Sequence, residues 1–194
     1  MSERSPPLIL ASESPRRLAL LGQIGLTPDR IVPTHIDETP LPDELPNLHA
    51  VRLARGKALA AGLGGGVVLA ADTVVACGRR ILPKALEQSQ AAVCLALLSG
   101  RSHLVHTAVC VVDMAGAVRE RLVSTRVTFK RLSTAEIGAY LSGGEWDGKA
   151  GGYAIQGTAG QFVTRINGSY SAVVGLPLYE TAGLLAACGV RVRP

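Results

Sequence analysis

The first apolar block, Leu8 to Ala11, has the length and continuity of a short strand buried on both faces. It runs directly into Ser12, Ser14 and Pro15, residue types that open a helix, and Leu18, Leu21 and Ile24 recur at helical spacing as far as Gly25. Asn47 stands where a second helix, through Leu63, would be capped, and Gly64-Gly65-Gly66 breaks it. Val67 to Ala71 reads as another buried strand with Asp72 at its end, and Glu87 to Leu98 as an amphipathic helix. Two long β-rich stretches, Ser102 to Val112 and Val118 to Lys130, flank Asp113-Met114-Ala115-Gly116 and predict a hairpin. Ser133 caps a helix through Leu141, Gln161 to Ile166 returns to strand, Pro177 to Ala187 is a last helix, and Val190 to Val192 offers an edge strand. A long antiparallel hairpin among helices predicts a mixed α/β fold in place of a plain doubly wound parallel sheet.

Composition narrows the class. The chain has 194 residues, 47% hydrophobic and 18% charged, which suits one globular domain spanning 1–194 and excludes disorder, collagen and coiled coil. The apolar run around Val67 to Ala76 is interrupted by Asp72 and falls short of the ~20 residues that cross a bilayer. The four-residue apolar run near the N-terminus is too short for a secretory signal, so the expected location is the cytoplasm. Cys77, Cys94, Cys110 and Cys188 lie far apart with no Cys-x-x-Cys, which leaves free thiols as the default. His103 and His106, three apart in a strand, point to opposite faces, so a shared metal is disfavoured and both read as ordinary polar positions.

Charge adds a candidate ligand. The net charge is +5, and between Arg52 and Lys84 stand six bases (Arg52, Arg55, Lys57, Arg79, Arg80, Lys84) around one acid, Asp72. Asp37, Glu38, Asp43 and Glu44 form an acidic patch beside them. Bases beside isolated carboxylates suit a small polyphosphate with a divalent cation, although a solvated helix face for Arg52 to Lys57 fits the same pattern. The chain has seven aromatic residues and none between Arg52 and Lys84, which argues against nucleic acid.

Three segments carry the chemistry. In Leu8 to Arg17 a strand meets a helix with serine hydroxyls and two arginines at the junction, a cradle for phosphate or simply a capped helix. In Ala70 to Val75 a carboxylate, Asp72, ends a buried strand; it needs a ligand, a metal or a base, and Arg52, Arg55 or Lys57 could simply pair with it. Glu38 is the natural second carboxylate for a hydrated magnesium ion. In the glycine-dense region from Gly143 to Gly160, Asp147, Lys149 and Gln156 bring a carboxylate, an ammonium and an amide to flexible backbone, and the amide suits the edge of a nucleobase.

These segments, in this order, resemble the Maf family of nucleoside triphosphate pyrophosphatases from Leu8 to Leu185. The residues that carry the likeness include Leu10-Ala-Ser12 with Ser14-Pro-Arg-Arg17, Asp37-Glu-Thr39, Leu53 to Ala58, Ala71-Asp-Thr-Val-Val75, Lys84, Leu98-Ser-Gly-Arg101 with His103, Lys149 to Gly157, and Ile166 to Tyr170 with Val174 to Leu178. The resemblance implies an inosine-triphosphatase-like mixed sheet with two lobes around a cleft, commonly a homodimer. It also implies hydrolysis of a nucleoside triphosphate to monophosphate and pyrophosphate with a divalent cation, magnesium or manganese. Asp72 matches the family's catalytic aspartate, as proton acceptor or metal ligand, and Glu38 a second metal carboxylate. Ser12, Arg16, Lys57 and Lys84 match positions that hold the triphosphate. Arg16, Thr73 and Gln156 look like the branch acting on dTTP and UTP; a sister branch acts on 7-methyl-GTP, and a non-catalytic regulator of division is the rival from another class. One departure stands out, since the family's Gly-Lys-Pro is here Pro83-Lys84-Ala85, where proline constrains Leu82 and the local loop path.

Overall fold

The elements follow in the order β1 (Leu8–Leu10), α1 (Pro15–Gln23), β2 (Arg30–Ile31), α2 (Pro46–Ala60), β3 (Val67–Cys77), β4 (Arg80–Leu82), β5 (Lys84–Ala85) and α3 (Gln88–Leu98). Then come β6 (Ser102–Val112), β7 (Val118–Phe129), α4 (Thr134–Ser142), β8 (Lys149–Ala150), a 3-10 turn (Thr158–Phe162), β9 (Val163–Asn167), α5 (Tyr170–Val174) and α6 (Leu178–Ala187). They are drawn from a computed structural model that describes residues 5–62 and 64–191.

Seven strands form one sheet in the order β2-β1-β3-β6-β7-β9, with β4 added along the end of β3, while β5 and β8 make a separate two-stranded ribbon. β1 is parallel to β2 and β3, and β6, β7 and β9 are antiparallel, so the sheet is mixed as the pattern predicts. β3 buries both faces, the arrangement that a continuous apolar run requires. Val67, Leu69 and Ala71 meet Leu20, Leu21, Leu184 and Leu185 of α1 and α6. Val68, Ala70 and Val74 meet Ala50, Ala54 and Ala58, a stripe of small side chains that lets α2 lie close on the sheet. A third cluster packs α3, α4 and the far halves of β6 and β7 around Phe129, whose ring contacts His103, Tyr153 and Phe162 edge to face. The β6–β7 hairpin pairs from Ser102↔Thr128 to Val112↔Val118, and Asp113 closes its turn by accepting from the amides of Ala115 and Ala117.

One interruption in the sheet positions everything functional. β1 stops beside Leu69, where the Ala11 amide donates to the Leu69 carbonyl, and β4 begins only opposite Val75. Between these points no strand among the described residues covers that edge of β3. Odd-numbered residues turn their backbone groups to this edge, as the bonds from Val67 N and to Leu69 O show, so Ala71 and Thr73 aim theirs into the gap. A crevice beyond a strand's carboxyl end, where neighbours diverge, is where open α/β sheets bind ligands.

Several boundaries differ from the sequence reading. Asp72 lies in the middle of β3, because Thr73, Val74 and Val75 continue a β-favourable run and the aspartate's charge is met from α2. α2 begins at Pro46 with Leu45 as N-cap and ends at Ala60; proline fits the first helical turn, which displaces Asn47 as cap, and Leu63 lies outside the described residues. Glu87 caps α3 instead of entering it. Residues 158–162 form the 3-10 turn before β9, so only the end of Gln161 to Ile166 is strand. Val190 is buried against the α1–α6 cluster and Arg191 is not in a strand; Val192 lies outside the described residues. Replacing Phe129, 2% exposed, by alanine should cost about 3–5 kcal/mol from the cavity left in that cluster, measurable as a lowered urea midpoint.

Candidate active site

The gap in β3 opens into a cleft of about 360 Å³. Three segments wall it: the β1–α1 junction, the open edge of β3, and the loop from Gly148 to Gln156. All of Ser12, Arg16, Glu38, Lys57, Asp72, Thr73, Lys84 and Gln156 line this cleft, so the structure brings every predicted site residue together.

At its floor, α2 and β3 place an ammonium between two carboxylates. Lys57 Nζ lies 2.5 Å from Asp72 Oδ1 and 2.6 Å from Glu38 Oε1, and Lys84 Nζ lies 2.5 Å from Glu38 Oε2. Asp72 is 3% exposed and Lys57 7%, so neither charge could be held there alone. Of the three bases that might pair with Asp72, Lys57 does so; Arg52 turns to Glu44 and Arg55 to Glu120. Burial raises the proton affinity of Glu38, but hydrogen bonds from Lys57 and Lys84 outweigh it and bring its pKa down to about 2.

The base-rich stretch is therefore less concentrated in space than in sequence. Of its six bases only Lys57 and Lys84 line the cleft, joined there by Arg16, Arg17 and Lys149 from elsewhere. Of the acidic patch only Glu38 lines it; Glu44 holds His49 and Arg52. Lys84 sits in β5 opposite Ala150, so the Pro83-Lys84-Ala85 departure still delivers its ammonium to the cleft through the β5–β8 ribbon.

The β1–α1 junction offers donors. Neither Ser12 nor Ser14 makes a side-chain cap on α1; Pro15 has no N–H and the amides of Arg17 and Leu18 donate to Ser14 O, which leaves the Arg16 amide to an incoming group. Ser12 Oγ accepts from Ser14 N at 3.2 Å and Arg17 Nη1 at 3.0 Å, so its own proton is free to donate into the cleft. Arg17 also donates from Nε to Gly175 O at 2.9 Å and so ties this junction to the end of α5. Burial lowers the pKa of both arginines, opposed at Arg17 by the charge of Asp72.

The third wall is fixed by a histidine that sequence alone makes look ordinary. His103 Nε2 lies 2.8 Å from the hydroxyl of Tyr153, both are buried, and Tyr153 lines the cleft. Burial pushes the His103 pKa down to about 4, so the ring is neutral near pH 7. His106, on the opposite face, bonds Ser124. Gly151 and Gly152 both have φ near +70°, and a Cβ on Gly152 would come within 3.0 Å of the Ala91 backbone, so only glycine lets this loop press against α3. Arg17, Lys149 and Tyr153 complete the site; of these, the ammonium of Lys149 is visible in sequence, whereas the anchoring by Arg17 and His103 depends on distant partners.

The donor set suits a hard divalent cation. Asp72 and Glu38 reach the cleft from separate segments, both beside the Lys57 ammonium, and magnesium is held by one or two carboxylates together with phosphate oxygens and water. Among the described residues no group of three or more His, Cys, Asp or Glu forms a metal cage.

Comparison with known proteins places these features in context. The family model of Maf-like proteins matches residues 7–188. A protein named dTTP/UTP pyrophosphatase from Caulobacter vibrioides is 58% identical over 96% of this chain and 97% of its own. One of the same name from Brucella abortus is 59% identical over 95% of this chain and 93% of its own. A HAM1 protein from Coxiella burnetii is a structural neighbour over 66% of this chain and 74% of its own, at 18% identity and a TM-score of 0.45.

Two outcomes test the electrostatics. Replacing Lys57 by methionine strands Asp72 as a buried charge and should cost about 3–5 kcal/mol in urea unfolding, with much of the loss recovered when Asp72→Asn is added. Because the Glu38 pKa is depressed in the folded chain from 4.5 to about 2, its stabilising contribution is complete above pH 4.5 and is lost as the pH falls toward 2. Glu38→Gln should flatten that part of a stability–pH curve.

Proposed function

The chain belongs to the Maf family, and from that membership and the chemistry of its cleft we propose that it is a nucleoside triphosphate pyrophosphatase acting on dTTP and UTP. The observation that carries the reading is a buried carboxylate, Asp72, set in a cleft otherwise rich in cations. A triphosphate brings negative charge to a cleft lined by Arg16, Lys57, Lys84 and Lys149, and Asp72 supplies a proton acceptor beside it.

In the proposed reaction water attacks the α-phosphorus. The bond from that phosphorus to the oxygen bridging it to the β-phosphorus breaks, and pyrophosphate departs with the oxygen. Asp72 takes the proton lost by the attacking water. Ser12 and Arg16, the latter through its guanidinium and its backbone amide, meet phosphate oxygens, while Lys57 and Lys84 offset the charge that grows on the leaving group. Asp72 and Glu38 would also hold magnesium or manganese, which when bound neutralises phosphate charge and polarises the reacting oxygens. Thr73 and Gln156, neutral polar side chains in the cleft, are placed to read the base, with Arg16 beside them as a third selector. Homodimer assembly belongs to the same reading and rests on the family resemblance; a cytoplasmic location is proposed beside it. No helix among the described residues is long and apolar enough to cross a membrane.

Pyrophosphate release measured over a nucleotide panel with magnesium or manganese should show turnover of dTTP and UTP ahead of 7-methyl-GTP. Failure to hydrolyse either pyrimidine nucleotide would overturn the proposal. Asp72→Asn keeps Lys57 paired with Glu38, so it should fold, and its kcat should fall by about 10²–10⁴-fold.

A further inference from the structure

Glu38 meets an ammonium at each of its oxygens. Lys57 Nζ lies 2.6 Å from Oε1 and Lys84 Nζ 2.5 Å from Oε2, while Lys57 Nζ also lies 2.5 Å from Asp72 Oδ1. The two carboxylates whose chemistry suits a divalent cation therefore already carry two monovalent ones. Two ammoniums and two carboxylates make a neutral group, which has no net charge to draw in a dication. The walls around it add to the barrier, since five bases line the cleft against three carboxylates. A triphosphate reverses that sign and offers the ammoniums oxygens of its own.

The two lysines are not equivalent. The Lys57 side chain is 9% exposed and that of Asp72 4%, so moving Lys57 would strand a buried charge. The Lys84 side chain is 48% exposed, and its ion pair is with Glu38, which is itself 35% exposed. A pair this open contributes little, because water competes for both of its members. The backbone beneath Lys84 is nevertheless held: Lys84 pairs with Ala150 in the β5–β8 ribbon, Gly148 N donates to Ala85 O, and Gly151 N donates to Pro83 O. On this fixed base the flexible stem can swing the ammonium from Glu38 to a phosphate with no movement of the chain.

We infer that Lys84 is a stand-in cation, which occupies Glu38 and holds a divalent metal off that carboxylate until a triphosphate draws the ammonium away. The inference rests on the reading of the cleft as a triphosphate site and deepens it. Lys57 stays with Asp72 throughout and preserves the fold, so Lys84 alone is the movable member. Metal and triphosphate then bind with positive coupling, each raising the affinity for the other by the same factor. Loss of a residue that lines the site ordinarily weakens binding there. Loss of Lys84 should instead strengthen the binding of metal to the nucleotide-free protein.

The test titrates manganese into the nucleotide-free protein by isothermal calorimetry and compares the unaltered chain with Lys84→Met, Lys84→Arg and Lys149→Met. Lys84→Met keeps an apolar stem and uncovers Glu38 Oε2, so manganese affinity should rise about tenfold. Lys84→Arg returns a cation to Glu38 and should bring the affinity back to that of the unaltered protein. Lys149 also lines the cleft, but its ammonium donates to the Asp147 carbonyl. Lys149→Met therefore removes the same charge from the cleft without uncovering a carboxylate, and its gain should be much smaller. An unchanged affinity in Lys84→Met, no reversal in Lys84→Arg, or an equal gain in Lys149→Met each overturns the inference. Should Lys84→Met fail to fold, Lys84→Gln, neutral and polar, carries the same expectation and the same refutation. Turnover of UTP by the unaltered protein beside an unchanged manganese affinity in the Lys84 variants would refute the inference and leave the function standing. Absence of any pyrimidine turnover by the unaltered protein would instead strike at the function itself.

Discussion

A single ammonium decides how this molecule is put together. Lys57 reaches from α2 to Asp72 in the middle of β3 and to Glu38 in the segment between β2 and α2, and so ties three stretches of chain at one point. Without it a carboxylate inside a strand buried on both faces would carry several kcal/mol of desolvation cost. With it, a strand buried on both faces can display a charge where the neighbouring strand has stopped. The alanine stripe of α2 serves the same end, since a helix held farther from the sheet could not deliver a lysine to that depth.

The rest of the cleft follows from the interrupted edge of β3. Because β1 ends early and β4 starts late, side chains from both faces of one strand reach the same opening: Asp72 from the α2 side and Thr73 from the α5 side. Adjacent residues of a strand ordinarily serve opposite surfaces. Here they line one cleft, and in the proposed function the chemistry falls to Asp72 and recognition to Thr73.

Much of this was legible in the sequence, and the losses have physical causes. Long elements with clear periodicity, such as the Ser102 to Val112 strand and its hairpin partner, are marked by local pattern and appear almost to the residue. The two- and three-residue strands β2, β4, β5 and β8 carry no period to detect, and the five-residue α5 has none either. Asp72 misleads as a strand end because aspartate is poor in strands unless something distant compensates it, and Lys57 is fifteen positions away. The candidate residues came from chemistry and resemblance and all meet in the cleft. The anchoring residues behind them, Arg17 and His103, were invisible as such, since an arginine bonding a carbonyl 158 positions on leaves no local signal. Charge counting along the chain overstated the cleft's share, because Arg52 and Arg55 are spent on ordinary surface pairs.

The shared ammonium also shapes which changes the lineage of this chain can tolerate. Loss of Asp72 leaves Lys57 with a second carboxylate, so selection on folding alone would permit it, and the aspartate is preserved only by the chemistry proposed for it. Loss of Lys57 abandons a buried charge, so selection on folding preserves the lysine even in a descendant that has given up its reaction. A relative that kept the lysine and lost the aspartate would thus record a folded protein released from catalysis, whereas the reverse combination has no stable route by single steps.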